Sequence, residues 1–337
     1  MNLDLRALAT TIARLLIQPS AGSGLPVAPN RTQSLADARA RLRAFAASGA
    51  SSMFTLVNPA NDAAKFAVRR AEFVKRMMDL VANPRLLDQG NVNACGMAAF
   101  LHLWLKRAPD DVAKFAIDLF QHGRAAIGSL DVVPNQDLLK QNYALLPTGA
   151  PPVADWIMVS GLRNGTGRPG FLGRHDDAAD GIVFPQELQE WLEATTLYSA
   201  VANHANFFEH QTFNDVPIFP DVTRDVAMLL NTKMLAKNLD KPTCGCDQAS
   251  KDVSDITLAQ TVEEVTAPVL PNHYVIVDAI KEKADHSISV TFWCWSEFLE
   301  KEPILLSDGK TPCTCMPYVI ERSLFDANFY GVVMAVA

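Results

Sequence analysis

One cysteine among the six in the chain occupies a place where a thiol can react. Cys95 follows a polar, turn-prone segment, residues 89–94, and begins an apolar segment that predicts a helix. A thiol at a helix N-terminus lies beside backbone N–H groups without a helical partner and at the positive end of the helix dipole, and both favour the thiolate. The sequence therefore predicts a nucleophilic thiol at Cys95, with a small buried hydrophobic residue as the alternative.

Two more residues fit a reaction at this thiol. Gln89 lies six residues before Cys95, where its side-chain amide can fold back and donate a hydrogen bond to an oxyanion. His273 begins a β-branched segment, residues 273–280, and a histidine at the start of a strand can project onto the N-terminus of a packed helix. A nucleophile, a general base and an oxyanion donor are the parts that acyl transfer needs.

The order of Gln89, Cys95 opening a helix, and His273 heading a Tyr-Val-Ile-Val strand resembles the papain-like cysteine hydrolase superfamily. The resemblance covers mainly residues 86–106 and 270–298. It implies that Cys95 is the nucleophile and that His273 is its general base and acid. It also implies that Gln89 and the backbone N–H of Cys95 form the oxyanion hole.

The sequence around the thiol departs from that of papain and the cathepsins. Met97 and two alanines follow Gly96, so the second cysteine of the C-G-x-C-W signature is absent. The segment is closer to divergent bacterial members of the superfamily, which include secreted toxins and effectors that act as proteases, amidases or glutamine deamidases.

The third catalytic residue is the main departure from the family pattern. Relatives usually carry Asn or Asp on the strand after the histidine, where it orients the imidazole. Residues 292–297 read Phe-Trp-Cys-Trp-Ser-Glu, without Asn or Asp. The orienting group is then a backbone carbonyl, Ser296, Glu297 or no side chain at all, so we expect a Cys–His dyad with Glu297 as the candidate orienter. Cys294 is interpreted as a packing residue, at or away from the site.

Helical patterns precede strand patterns along the chain. Helical periodicity covers residues 34–47, 63–82, 109–128, 155–162 and 185–208, and the segment that begins at Cys95. Strand patterns cover residues 273–280 and 287–295, which predict a hairpin, and residues 328–336. This order predicts an α+β fold with helices on one side of an antiparallel sheet. The resemblance makes it papain-like, with an N-terminal helical region at residues 1–85 and the cysteine hydrolase domain at residues 86–337.

Composition excludes several classes of protein. Thirty basic residues stand against 37 acidic ones in a chain of 337, which argues against a nucleic-acid-binding protein. No apolar run is long enough for a membrane-spanning helix. Asp4, Arg6 and Arg14 interrupt the apolar N-terminus, so it predicts an amphipathic helix rather than a secretory signal. We expect a protein that is cytoplasmic or is exported without a cleavable signal, and the resemblance favours an exported effector or toxin.

Four further cysteines form two C-x-C pairs, Cys244 with Cys246 and Cys313 with Cys315. They can form two disulfides that join the two loops, bind one zinc ion, or remain unlinked. The spacing is tighter than is usual for structural zinc.

Other residues with chemical potential have simpler interpretations. The Gly-rich segment 161–173 lacks the phosphate-loop pattern and predicts a mobile loop or a lid facing the substrate. The acidic segment 175–180 is typical of solvated loop charge. His204 and His210 lack the spacing of zinc proteases. We predict neither a cofactor nor a metal.

Together these observations predict a protease or amidase that attacks the amide carbonyl of a protein or peptide substrate. An immunity protein or inhibitor is a second expected partner, by analogy with the exported relatives. The alternatives are a glutamine deamidase acting on a host or competitor protein, and a non-catalytic binding protein with the same fold.

Overall fold

The computed structural model describes residues 30–57, 63–174, 176–177, 179–216, 218–234, 270–294 and 315–337. These residues form two compact units. The helical unit comprises the described residues up to Leu197, and the sheet unit comprises those from Tyr198 onward. Helices and antiparallel sheets occur together, which confirms the predicted α+β class. The predicted boundary near residue 85 stays a prediction.

The helical unit consists of helices and one small hairpin. The hairpin pairs β1 (Ala125–Ile127) with β2 (Leu130–Val132) in an antiparallel register. Its helices are α1 (Arg31–Ala47), α2 (Ala63–Ala82), α3 (Cys95–Arg107), α4 (Pro109–His122), α5 (Gln136–Lys140), α6 (Val153–Gly165) and α7 (Pro185–Ala194).

Helix α3 is the centre of this unit. Every side chain from Cys95 to Leu105 is buried, as expected for a helix that is apolar on all sides. Helix α6 is equally buried, from Val153 to Asn164, although it contains charged residues. Burial of these charges requires partners, and the partners build the surroundings of Cys95.

Two predicted helices are too long. The pattern at residues 109–128 ends at His122, because Gly123 adopts a left-handed conformation (φ +61°) that terminates α4. The pattern at residues 185–208 ends at Ala194. There Thr196 has φ +57°, and the chain continues into a strand.

The sheet unit contains one antiparallel sheet of six strands in the order β3-β8-β4-β5-β6-β7. Strands β5 and β6 form the predicted hairpin, and β8 is the predicted last strand. The sequence did not predict β3, β4 or β7, and the prediction that Cys315 lies in a loop is wrong, because its backbone begins β7. The elements are β3 (Ala200–Asn203), β4 (Arg224–Leu230), β5 (His273–Glu282), β6 (Ile288–Trp293), β7 (Cys315–Ile320), α8 (Arg322–Asn328) and β8 (Phe329–Val336).

One face of this sheet carries the apolar core of the sheet unit. Alternate residues of β4, β5, β6 and β8 point into it and pack with Leu324 and Phe325 of α8. Val275 and Val277 are the core residues of β5, so the alternation of the strand places His273 on the same face. Cys294, directly after β6, packs against this core.

Several predicted features lie outside the described residues. They are residues 1–29, Cys244, Cys246, Ser296, Glu297 and Cys313. The backbone of Cys315 lies in β7. Of the helices in the described ranges, none combines the length and the apolar character needed to cross a bilayer.

Candidate active site

Cys95 is the first residue of α3, and its thiol is buried. The N-cap position before it is Ala94, whose methyl group cannot accept a hydrogen bond from the first helical N–H groups. The positive end of a buried helix therefore points toward the segment that carries the thiol. This arrangement favours a thiolate or an oxyanion there.

The segment before Cys95 is fixed by a tight turn. Gly90 has φ +58°, and its N–H donates to Oδ1 of Asp88 at 2.8 Å. The N–H of Asn91 donates to the carbonyl of Gly149 at 2.8 Å. A Cβ on Gly90 would collide with the same carbonyl, so only glycine fits this close approach.

A buried ion pair anchors this turn. Asp155, in the first turn of α6, is fully buried and accepts from Nε (2.7 Å) and Nη2 (2.9 Å) of Arg76 on α2. The same carboxylate accepts from the N–H of Asp88 at 2.8 Å. Burial raises the pKa of Asp155 to about 6, although Arg76 and the Asp88 N–H act to lower it. Arg76 also donates to the carbonyl of Leu86. One arginine therefore holds the backbone at Leu86 directly and at Asp88 through Asp155.

A second arginine, this one fully buried, holds the segment on the other side of Cys95. Arg163, near the end of α6, is fully buried and donates from Nη1 to Glu187 at 2.9 Å. Its Nε donates to the carbonyl of Asp180 at 2.7 Å, and Nη2 donates to the carbonyl of Ile182. Burial lowers the pKa of Arg163, and Glu187 opposes that effect.

The segment that Arg163 holds packs directly against the start of α3. A Cβ on Gly96 would collide with the side chain of Val183, and a Cβ on Gly181 would collide with the carbonyl of Asn93. Both glycines are therefore required by close contact rather than by backbone conformation. Helix α6 thus fixes the chain on both sides of Cys95, through Asp155 at one end and Arg163 at the other.

Sequence reasoning did not identify Arg76, Asp155 or Arg163. The available signal was a charged residue inside an otherwise apolar helical segment, as in Val-Ala-Asp-Trp-Ile-Met. Such a charge must find a partner when the helix is buried. The partner of Asp155 lies 79 residues away, and no local pattern reveals it.

Gln89 is buried, with 2% of its surface exposed. Its Oε1 atom is buried and has no hydrogen-bond partner within the part of the chain that the structure describes. The unpartnered atom is the acceptor end of the amide, whereas an oxyanion would need the Nε2 donor end. Such a group is costly in a protein interior unless a ligand uses it.

His273 lies in the sheet unit, at the first position of β5, and is 2% exposed. Its Nε2 lies 3.0 Å from Sγ of Cys294. Ile276 pairs with Trp293, so Cys294 comes opposite Val275 and is the diagonal neighbour of His273 on one sheet face. Burial lowers the pKa of His273 to about 3, so the imidazole is neutral at physiological pH.

The predicted residues therefore fall into two groups. Cys95 and Gln89 belong to the helical unit, and His273 belongs to the sheet unit together with Cys294, whose role the sequence left open. The pairing of Cys95 with His273 stays a prediction. Glu297 lies outside the described residues.

The remaining candidates are engaged within their own units. The Gly-rich segment begins inside α6, and Asn164 and Trp156 bind the carbonyls that follow, those of Pro169, Phe171 and Gly173. His210 contacts the hydroxyl of Tyr330 through Nε2 at 3.1 Å. Among the residues that the structure describes, no group of three His, Cys, Asp or Glu side chains is arranged to hold a metal ion.

Comparison of the chain with protein-family models, with curated proteins and with solved structures gave no match.

Proposed function

We propose that the protein is a cysteine hydrolase that attacks amide carbonyls, with Cys95 as nucleophile, His273 as general base and Gln89 as oxyanion donor. The observation that carries the proposal is the construction around Cys95. The thiol begins a buried helix, and the segments on both sides of it are fixed by two arginine ion pairs, each with one fully buried partner, Asp155 or Arg163.

A packing role for Cys95 does not account for this construction. A small buried side chain needs apolar neighbours, whereas each of the two arginine networks buries one charged group, Asp155 or Arg163, whose desolvation costs on the order of several kcal/mol. Such networks fix backbone positions, and a catalytic site needs its groups held in place before the substrate arrives. The Gln89 amide is also buried, which places a polar group in the interior of the same unit.

The reaction follows from the chemistry of these groups. The Cys95 thiol gives its proton to His273 as sulfur attacks the carbonyl carbon. The oxyanion accepts hydrogen bonds from the Cys95 N–H and from the Gln89 amide, and each such donor is worth about 10²–10³ in rate. The imidazolium then protonates the departing amine. Water, deprotonated by His273, cleaves the thioester and regenerates the thiol.

The substrate we propose is a protein or peptide, cleaved at a peptide bond or another amide. Export as an effector or toxin, with an immunity protein as partner, extends the proposal through the resemblance to bacterial papain-like enzymes. Glutamine deamidation uses the same machinery, with ammonia as the leaving group.

Cys294 is a second candidate nucleophile, because its sulfur lies 3.0 Å from His273 Nε2. The two candidates differ in their surroundings. Cys95 begins a buried helix, whereas Cys294 follows a strand and packs against the apolar core of the sheet unit. At Cys95 the positive end of α3 stabilises negative charge.

Acyl transfer from p-nitrophenyl acetate tests the proposal and separates the two thiols. We expect a burst of p-nitrophenolate from the wild-type protein and an acetyl group on Cys95 by peptide mass spectrometry. Cys95→Ala should abolish the burst, whereas the matched variant Cys294→Ala should retain acetylation at Cys95. Acetylation at Cys294 with a burst that survives in Cys95→Ala would assign the nucleophile to Cys294. Acetylation no faster than that of glutathione would favour the non-catalytic binding protein.

The reaction products identify the class of substrate. Wild type and Cys95→Ala are incubated separately with a bacterial or host cell extract, and the proteins are compared by mass spectrometry. New peptide termini that depend on Cys95 identify a protease. Conversion of glutamine to glutamate without cleavage identifies a deamidase.

A further inference from the structure

We propose that Cys294 is the positioning residue of the catalytic base: its sulfur accepts a hydrogen bond from Nε2–H of His273, which leaves Nδ1 as the nitrogen that takes the proton of the reacting thiol. The inference rests on the proposed function, because it assigns the group that orients the base. It replaces Glu297, Ser296 and a backbone carbonyl as candidates for that role.

The sheet register brings the two side chains together. His273 is fixed by its pairing with Leu230 of β4, and the end of β6 is fixed by the pairing of Trp293 with Ile276. Cys294 follows directly and shares the face of His273, with Sγ 3.0 Å from Nε2. Both positions are set by backbone hydrogen bonds, so the contact does not depend on a long, flexible side chain.

Burial makes the contact consequential. His273 is 2% exposed, and a buried imidazole that rotated away from a partner would lose a hydrogen bond that water cannot replace. Sulfur is a weak acceptor, so it holds the ring without adding a negative charge beside it. The neutral state of the base is consistent with this environment, in which burial lowers the pKa of His273 to about 3.

Cys294 remains a protonated thiol throughout the reaction, and every other proton is accounted for. In the resting state Nε2 carries the imidazole proton and Nδ1 has the lone pair. The proton of Cys95 moves to Nδ1 as sulfur attacks, and the imidazolium keeps its Nε2–H bond to Cys294. The departing amine takes the Nδ1 proton, which restores the starting tautomer.

The tautomer can be observed directly. We would label the histidines of the full chain with ¹⁵N and record long-range ¹H–¹⁵N spectra, assigning His273 by the signals lost in His273→Ala. The expected result is a neutral ring with its proton on Nε2. The expected result for Cys294→Val, which keeps the size but removes the acceptor, is a mixture of tautomers. A wild-type ring with its proton on Nδ1 would overturn the assignment.

The kinetic consequence is measured as the acetylation rate of Cys95 by p-nitrophenyl acetate. Orientation is part of the 10²–10⁴-fold contribution of a general base, so we expect Cys294→Val to slow acetylation about tenfold without changing the half-saturating ester concentration. Cys294→Ser, which retains an acceptor, should restore most of the rate.

The outcomes separate this inference from the proposed function. If His273→Ala slows acetylation and Cys294→Val does not, the positioning role is wrong and the hydrolase proposal stands. If His273→Ala leaves the rate unchanged, His273 is not the base, and both fail. Urea unfolding of Cys294→Val provides the control for structural loss, since a rate change with unchanged stability cannot come from partial unfolding.

Discussion

The two units of the chain fix their candidate catalytic groups by different physical means. In the helical unit, the segments beside Cys95 are held by two ion pairs that each have one fully buried partner, Asp155 with Arg76 and Arg163 with Glu187. In the sheet unit, His273 is held by strand register and contacts the neutral thiol of Cys294. A loop lacks the regular backbone hydrogen bonds of a sheet, so long-range polar contacts must fix its path. A strand is fixed by its backbone hydrogen bonds to the neighbouring strands. The two units should therefore respond differently to mutation and to acid.

The largest expected effect is the loss of the charged anchor in the helical unit. Asp155→Ala leaves Arg76, which is partly exposed, and the Asp88 N–H without their acceptor, so we expect a loss of about 3 kcal/mol of unfolding free energy, at the low end for a broken buried pair. The measurement is urea unfolding at pH 7. The sheet-unit counterpart, Cys294→Val, should cost less than about 1.5 kcal/mol because it conserves volume. Equal losses in the two variants would remove the contrast between the units.

Acid should weaken the sheet unit through His273. The folded pKa is lowered to about 3 while the unfolded imidazole keeps its ordinary value of 6.5, so the unfolded chain binds the proton first. Stability is therefore present above pH 6.5 and is lost as pH falls, by about 2 kcal/mol between pH 6.5 and 4.5. Urea unfolding across this range measures the slope, and His273→Gln is the control. An unchanged slope in that variant would show that His273 is not buried as a neutral ring.

Close packing at the start of α3 should be the next most sensitive feature. Gly96→Ala places a methyl group against Val183, so we expect a loss of about 1–3 kcal/mol and a slower reaction at Cys95. The double variant Gly96→Ala with Val183→Ala makes room for the added methyl group and should recover part of both. Thermal unfolding of the single and double variants checks the first effect, and the acetylation rate checks the second. A single variant with wild-type stability would mean that Val183 moves aside freely.

The smallest expected effect is the pH dependence of the Asp155 contribution in the helical unit. Its sign is opposite to that of His273, because acid should increase stability there. Burial raises the pKa of Asp155 to about 6 from 3.8, so the folded chain binds this proton before the unfolded chain does. The contribution of Asp155 to stability should therefore increase by about 1 kcal/mol as pH falls from 6 to 5. Urea unfolding of the wild type and of Asp155→Asn at pH 6 and pH 5 isolates this contribution. A contribution that decreases with acid would mean that Arg76 outweighs desolvation and holds the pKa of Asp155 below 3.8.

Much of this fold was accessible from periodicity and residue type. Helix α2 covers the predicted range, residues 63–82, because its apolar residues recur every three to four positions. The β5–β6 hairpin follows from two β-branched segments around a polar turn. Strands β3, β4 and β7 were missed, and the helix at 185–208 was extended too far. In that region the left-handed conformation at Thr196 and the partner strand β8, distant in sequence, decide the structure.

In the candidate site too, local features were predictable from the sequence and long-range contacts were not. Cys95, Gln89 and His273 were identified by residue type and spacing, which are local properties. Their supports could not be identified in that way. Arg76 and Asp155 are 79 residues apart, and His273 and Cys294 meet only when the hairpin register is known. Cys294 lies within an aromatic strand segment, which predicts a packing residue, at or away from the site, and only the register shows that it meets His273.

The most direct test of the central claim is the alkylation rate of Cys95 by iodoacetamide, resolved by peptide mass spectrometry between pH 5 and pH 9. The account predicts that Cys95 in the wild-type protein reacts faster than glutathione across the neutral range. It also predicts that His273→Ala removes this excess while Cys95 remains in a folded protein. A wild-type rate that matches glutathione at every pH, or an excess that survives in His273→Ala, would contradict it.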